Sequence, residues 1–255
     1  MKDIIVLDYM KHIATRAIAS VQSGNAATIS GREGEGVRIL LKYIEGIWKQ
    51  EHEGKTLFLT MCSKVSAFKA LQYFASTVLG DSMPRNWKLH NACELVHLIA
   101  NHLEKQKVGL ILVDKADAVS GEFIDHVMTV TTLCSDLGWN VGVVLGLKKN
   151  PKEQMEFFDD FSSTSVAFDS KILPLTPSET TCVLCELTPH FADICERINN
   201  QEGEANKLVH LIHKLSGGNF RRLAEFTDYL THWPPKEKIG SDNLEALWNS
   251  AFSFN

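Results

Sequence analysis

The chain reads as an α/β fold, a parallel sheet covered by helices, followed by a C-terminal part that is helical only. Three observations carry this reading. Short runs of β-forming residues alternate with amphipathic runs from residue 2 to about 170, the order that builds parallel strands joined by helical crossovers. The first strand runs into a glycine-rich turn and then a helix, Ala26 to Leu41, AATISGREGEGVRILL. After Leu173-Pro174-Leu175-Thr176-Pro177 the β-forming runs stop.

Each element has its own signal. Residues 2–21 are predicted helical, with Ile5, Met10, Ile13, Ala17 and Ile18 at about helical spacing. Ser23-Gly24-Asn25 ends that helix, and Ala26–Ser30 is the first strand. The helix after the glycine turn runs to about Gln50, with Leu40, Leu41, Ile44, Ile47 and Trp48 inward. Thr56–Met61, TLFLTM, is a dense β-former run and a buried strand. Gly54-Lys55-Thr56 imitates the end of a phosphate loop, but it precedes a strand and is set aside. A helix follows from about Ser66 to Leu79. Asn91–Gln106 has Ala92, Leu95, Val96, Ile99 and Leu103 on one helical face. Val108–Val113 is a continuous apolar strand closed by Asp114. A helix over Phe123–Leu137 stops at Gly138. Then come a strand over Asn140–Leu147, a polar helix near 151–161 and a last short strand, Ser165–Phe168.

The domain boundary is expected near 174, dividing 1–173 from a helical domain at 174–255. Thr176, Pro177 and Glu179 form a helix start: a cap, a proline in the first turn and a glutamate three residues on. Leu208, Leu211, Ile212 and Leu215 make one apolar stripe, and Leu223, Phe226, Leu230 and Trp233 a second. Leu244, Leu247, Trp248 and Ala251 mark a final helix after Pro234-Pro235.

Composition narrows the function classes. The 255 residues are 44% hydrophobic and 22% charged, ordinary for a globular protein. No stretch approaches the roughly 20 apolar residues that a membrane helix needs. The N-terminus is amphipathic and carries Asp3 and Asp8, so no signal peptide is expected. Six cysteines without a regular framework are expected to be reduced thiols in a cytoplasmic protein. A net charge of −5 excludes a strongly basic nucleic-acid footprint overall, leaving only the local cluster Lys148, Lys149 and Lys152. Cys182, Cys185, His190 and Cys195 have a zinc-like inventory, but the first pair lies inside a predicted helix without a second CxxC. They are read as helix residues, and no metal ligands are assigned. No Ser-His-Asp arrangement or paired-carboxylate site can be argued, so no catalytic residue is assigned.

The glycine turn is where chemistry is expected. Strand, glycine-rich loop and helix together let backbone N–H groups curl around phosphates at a helix N-terminus. The glycines are Gly31, Gly34 and Gly36, and the first and last occupy the glycine positions of G-x-x-x-x-G-K-[ST]. The lysine that would grip phosphates is replaced by Val37, and the hydroxyl that would hold magnesium by Arg38. Glu33 and Glu35 add charges that repel a triphosphate. Leu110-Ile111-Leu112-Val113-Asp114-Lys115 supplies a second acidic motif, whose aspartate would end a buried strand beside the glycine loop.

Taken in order, the glycine loop, Leu110 to Asp117, the strand ending Gly146-Leu147, Thr176-Pro177-Ser178-Glu179 and Gly217-Gly218-Asn219-Phe220-Arg221-Arg222 resemble the AAA+ ATPases. The nearest flavour is the transposition group, the TniB, MuB and TnsC proteins, with the secretion ATPase ExeA nearby. The resemblance implies a P-loop AAA+-type sheet with a C-terminal helical lid, covering most of the chain. It also implies that Gly31, Gly34, Gly36, Val37, Arg38 and Asp114 line a nucleotide site. Arg221 matches the sensor-two arginine that reaches the γ-phosphate. The departures are as informative. Lys115 stands where the family keeps the glutamate that polarises water, and FFDDFSSTSVAFD, Phe157 to Asp169, lacks the arginine that reaches a neighbouring subunit.

The reading that follows is a regulator or adaptor of DNA transposition or a related mobile-element system, with a degenerate nucleotide site and no hydrolysis. Its expected partners are a transposase or other mobile-element proteins, DNA and further copies of itself, with no membrane. ATP would be at most a weakly held cofactor. One rival is an ATPase with a variant site, in which Arg38 or Lys115 supplies the missing cation. Another is a secretion or signalling interaction module on the same fold. Assembly should not respond to ATP, and the tail with Trp233, Trp248, Phe252 and Phe254 is the expected partner surface.

Overall fold

The computed structural model describes residues 6–23, 25–62, 65–84, 86, 90–148, 166–187, 203–232 and 239–253. The chain divides into two compact units. Asp8–Arg32 and Val37–Ile172 form one, and Leu173–Asn255 forms the other together with Glu33–Gly36.

The first unit carries a five-stranded sheet in the order β2-β3-β4-β1-β5, parallel in every pairing. Its elements are α1 (Asp8–Gln22), β1 (Ala26–Ser30), α2 (Val37–Glu51), β2 (Lys55–Thr60), α3 (Ala67–Leu79), α4 (Ala92–Gln106), β3 (Val108–Asp114), α5 (Gly121–Asp136), β4 (Gly142–Leu147) and β5 (Val166–Lys171). β1, β3 and β4 are buried along their whole length. This is why their sequences are continuous apolar runs rather than alternating ones. Leu59, Ile111, Val113, Val143 and Leu145 share a core with α3, α4 and α5. In that core Phe74 and Phe123 meet edge to face at 6.5 Å, and burying each ring contributes about 2–3 kcal/mol. α1 and α2 pack together on the sheet's other face.

The predicted strands and helices occur where the sequence puts them, with local differences. Lys55 and Thr56 open β2, so Gly54-Lys55-Thr56 does precede a strand. β5 extends to Lys171, beyond the expected end at Phe168. Its polar residues Asp169, Ser170 and Lys171 hid it, yet they pair with Thr28, Ile29 and Ser30 of β1. The Thr28 hydroxyl donates to Asp169 at 2.5 Å. β2 is an edge strand and only Leu59 is fully buried in it. The outer ring of Phe58 lies under the Lys42 ammonium, 3.9 Å from its centre. The expected polar helix near 151–161 lies outside the described residues.

α4 begins with a reciprocal cap. Asn91 accepts from the Glu94 N–H at 2.9 Å, and Glu94 accepts from the Asn91 N–H at 2.9 Å. The Asn91 N–H, and after it His90, hold the Glu94 carboxyl below its ordinary range. A depressed folded pKa gives stability that is present above the unfolded value and lost as pH falls through the folded one. Asn91 amide exchange, corrected for its intrinsic pH dependence, should therefore quicken below about pH 4. Glu94→Gln should abolish that pH dependence.

The second unit contains α6 (Pro177–Leu187), α7 (Gly203–Ser216), α8 (Phe220–His232) and α9 (Ser241–Phe252). α6 starts as expected: Glu179 accepts from the N–H and hydroxyl of Thr176, and the Thr176 hydroxyl accepts from the Glu179 N–H. The buried stripe of α7 is Ala205, Leu208, Val209 and Ile212, with Leu211 and Leu215 only half buried. The expected stripe was therefore rotated by part of a turn. The leucines were weighted over the smaller Ala205 and Val209, both buried in a helix that packs against α6 and α9. Leu223, Phe226 and Leu230 are buried as expected, and Trp233 lies outside the described residues. Trp248 corrects the expected partner surface. It is 6% exposed and its ring packs, tilted, between Phe226 at 4.7 Å and Phe252 at 4.9 Å, so it serves the unit's own core.

Candidate functional site

In the sheet unit, the glycine loop leaves β1 at its C-terminal end. The Gly31 N–H donates to the carbonyl of Leu147, the last residue of β4, at 3.1 Å. α2 begins at Val37, whose side chain turns into the core. A Cβ on Gly146 of β4 would come within 3.0 Å of Val37 Cγ1 and 2.7 Å of Leu41 Cδ1. The strand therefore has a glycine where this helix presses on it.

Arg38 turns the other way. Its Nη1 donates to Asp114 Oδ2 at 3.1 Å, with the Asp114 side chain 2% exposed and the Arg38 side chain 59% exposed. The guanidinium carbon also lies 5.8 Å from the centre of the Phe58 ring. Asp114 ends β3, and its carbonyl accepts from the Met61 N–H at 2.9 Å. Lys115 then takes a left-handed backbone conformation, φ +59°, which redirects the chain into the following turn. In that turn Asp117 accepts from the Lys148 backbone N–H at 3.0 Å. Lys149 and Lys152, the rest of the expected basic cluster, lie outside the described residues.

In the helical unit, the loop tip Glu33–Gly36 meets the start of α8. Asn219 caps that helix, its Oδ1 accepting from the Arg222 N–H at 3.2 Å, while its Nδ2 donates to the Glu33 carbonyl at 2.8 Å. The Arg221 N–H donates to the Gly34 carbonyl at 3.2 Å. Gly34 has φ +85°, and a methyl there would lie 2.3 Å from Asn219 Oδ1. Only glycine allows both the conformation and the approach. The Arg221 side chain bridges two carboxylates, Glu225 at 2.8 Å and Glu33 at 3.1 Å. Glu225 first, and Glu33 after it, raise the guanidinium's pKa further. Glu33, Asn219, Arg221, Arg222 and Glu225 line an open cleft of about 530 Å³.

Arg221 thus lies against the glycine loop, Arg38 against Asp114, Gly31 against β4, and Val37 in the core. Glu33 and Asn219 escaped sequence reasoning as partners of Arg221. The loop's glutamate was readable only as repulsion, and the Asn219 cap was readable only as a helix start. Among the described residues no group of three His, Cys, Asp or Glu side chains could hold a metal ion. Cys182 on α6 is a free, exposed thiol. Cys185 is disulfide-bonded, so the expectation of reduced thiols does not hold there. His190, Cys195 and most of Phe157–Asp169 lie outside the described residues. No described helix is long and apolar enough to cross a membrane.

Solved structures share this architecture. The Aeropyrum pernix ORC2 protein in its ADP form is similar with a TM-score of 0.66 at 13% identity, over 96% of this chain and 67% of that one. Domain III of the Thermotoga maritima replication initiation protein DnaA matches 98% of this chain and 93% of its own length, with a TM-score of 0.60 at 13% identity. The Aeropyrum pernix ORC1 protein in complex with DNA matches 98% of this chain and 66% of its own, with a TM-score of 0.60 at 14% identity. The fold is that of the AAA+ ATPases. The chain spans about two thirds of the length of the two ORC proteins. No protein-family model matches the chain, and no curated protein matches it. At these identities the AAA+ likeness is one of fold.

Proposed function

We propose that this chain is a non-hydrolysing AAA+-type regulator or adaptor that works on DNA, in transposition or a related mobile-element system. The observation that carries the proposal is the Arg38–Asp114 pair, 3.1 Å long at the end of β3. A magnesium–triphosphate needs a hydroxyl at position 38 and a free carboxylate at position 114. Here the first is a guanidinium and the second is its partner. Val37 supplies no cation and is packed against Gly146. Lys115 cannot act as the base that polarises water. Each missing contribution is worth a few kcal/mol of transition-state stabilisation in phosphoryl transfer. The fold therefore serves as a scaffold, and its partners are expected to bind through protein surfaces or DNA. Support for DNA comes from the ORC1 protein, which was solved in complex with it. The transposition assignment rests on the motif order and is the finer part of the proposal.

The test is steady-state phosphate release by the full chain with ATP and magnesium. The expected result is no turnover above background, with and without DNA. Turnover near ~1 s⁻¹, the low end of typical enzymes, would overturn the proposal in favour of a variant ATPase. Pull-down with a transposase but not with duplex DNA would keep the adaptor and remove the direct DNA role.

A further inference from the structure

We propose that the outer edge of β2 is a docking strand for an extended, acidic segment of a partner protein, which joins the sheet there as a sixth strand. The inference rests on the adaptor part of the proposed function and names its surface and the kind of partner.

Among the described residues β2 is the last strand on its side of the sheet. The Lys55 and Met61 N–H groups turn toward β3, donating to the carbonyls of Lys107 and Asp114 at 2.8 and 2.9 Å. Backbone groups alternate sides along a strand, so Thr56, Phe58 and Thr60 direct theirs to the outer edge. A row of unpaired donors and acceptors is a template for another extended chain. Proteins blunt such edges with a proline, a bulge or an inward-pointing charge. Thr56–Thr60 is TLFLT, without proline or charge, and the register shift against β3 falls before it, between Lys55 and Thr56.

The surface beside this edge selects the partner's chemistry. Arg38, Lys42, Glu45 and Lys49 recur every three or four residues along α2 and so form one stripe. The stripe lies against β2. The Lys42 ammonium is 3.9 Å and the Arg38 guanidinium carbon 5.8 Å from the centre of the Phe58 ring, and the Thr56 hydroxyl donates to Glu45 at 3.1 Å. Three cations here share two carboxylates, and both carboxylates are covered. Lys42 and Lys49 meet on Glu45, which is 13% exposed, and Arg38 meets the buried Asp114. The cations themselves are 41% to 59% exposed, so the charge that reaches solvent beside the edge is positive. Glu51, two residues beyond Lys49, leaves the stripe, and Glu53 lies past the end of α2.

A second copy of the chain would bring the same positive stripe to this edge, so the charges oppose pairing between copies. They attract an acidic strand. Side chains alternate across a strand. The fitting segment therefore has acidic residues facing α2 at every second position. Between them it has apolar residues on the side of Leu57, which packs against the core.

The experiment titrates the full chain, at low ionic strength, with a fluorescently labelled peptide of about ten residues, a full strand's length, in which glutamate and valine alternate. Saturable binding is expected, and the lysine–valine counterpart should not bind. Lys42→Gln and Lys49→Gln should each weaken binding by about fivefold, fading with added salt. Thr60→Pro removes an outward N–H without touching the bonds to β3 and should also cost about fivefold. On binding, amide exchange should slow at Thr56, Phe58 and Thr60, but not at Leu57 and Leu59, which already face β3. Should Thr60→Pro fail to fold, this alternation and the two lysine variants decide. No binding, or binding that leaves those three amides unprotected, would overturn the proposal. Binding of oligothymidylate through Lys42 and Lys49, with the peptide inert, would overturn it in favour of a nucleic-acid surface. Self-association abolished by Thr60→Pro, with the peptide inert, would overturn it in favour of a second copy. Phosphate release is independent of these readouts. An inert peptide without ATP turnover sinks this inference alone, and turnover with an intact peptide response sinks only the non-hydrolysing reading.

Discussion

Replacing Gly218 with alanine should lower the melting temperature of the helical unit by roughly 10–30 °C. Gly218 sits at φ +68°, and an added Cβ would meet the Leu175 carbonyl oxygen at 2.4 Å and the Leu175 nitrogen at 2.9 Å. The left-handed conformation alone costs a side-chain-bearing residue about 1–2 kcal/mol. The clash is with backbone, which cannot rotate aside, so the Leu175 N–H bond to the Gly218 carbonyl, 2.9 Å, must also be strained or broken. That loss adds about 1–2 kcal/mol. A total near 2–4 kcal/mol corresponds, at about 4–8 °C per kcal/mol for a unit of this size, to a shift of roughly 10–30 °C. Gly217→Ala is the internal control. Its φ is +63°, but nothing lies within 4 Å of the new methyl, so it should cost only the conformational part, about 1–2 kcal/mol. Thermal denaturation followed by circular dichroism measures both. Equal losses in the two variants would show that the Leu175 contact is not what requires a glycine. Because Gly218 precedes Asn219 and Arg221, its variant should also loosen the grip on the loop tip, seen as faster amide exchange at Arg221.

Arg38→Ala should destabilise the sheet unit by about 2 kcal/mol. The Asp114 carboxylate is buried at the end of the inner strand β3, and the Arg38 guanidinium is the charge paired with it. Removing one partner of a fully buried pair costs about 3–5 kcal/mol, because the other charge is left without compensation. Arg38 is more than half exposed, so solvent reaches the pair and the loss falls between the buried range and the roughly 0–1 kcal/mol of exposed pairs, at about 2 kcal/mol. Asp114→Asn should cost less than Arg38→Ala, since it leaves an amide rather than a charge in the buried position. The double variant should be more stable than the sum of the single losses predicts, because the uncompensated charge is absent from it. Urea denaturation of the four proteins gives the coupling energy. Additivity within ~0.5 kcal/mol would mean that the contact contributes nothing to folding.

The sheet was legible because burial on both faces writes itself into the sequence. Ala26–Ser30 and Val108–Asp114 are unbroken runs, and the strands begin and end where those runs do. β5 was only half legible, because an edge strand tolerates Asp169, Ser170 and Lys171, which look like a loop until they pair with β1. In the candidate site, the same residues read as losses of function proved to have other employment. Val37 fills the space left by Gly146, and Arg38 neutralises Asp114. Neither role follows from spacing within a motif, because each depends on a strand found elsewhere in the chain. The Glu33–Arg221 pair was illegible for the same reason. Residues 188 positions apart share no local pattern, and only the fold brings a carboxylate from a glycine turn to the first turn of a helix.

The position of β1 inside the sheet has a consequence for how the chain is made. β1 is synthesised well before both of its neighbours, β4 and β5; Thr28 and its partner Asp169 are 141 residues apart. At about 5–20 residues per second on the ribosome, the first strand waits on the order of 7–30 s for its second edge to be covered. The glycine loop waits longer still, since the Asn219 amide that holds the Glu33 carbonyl follows it by 186 residues. Pairings so distant in sequence are slow to form and leave apolar surface open while they do. A fragment ending before β4 should therefore be captured by chaperones or aggregate, whereas the same residues are protected once β4 and β5 emerge.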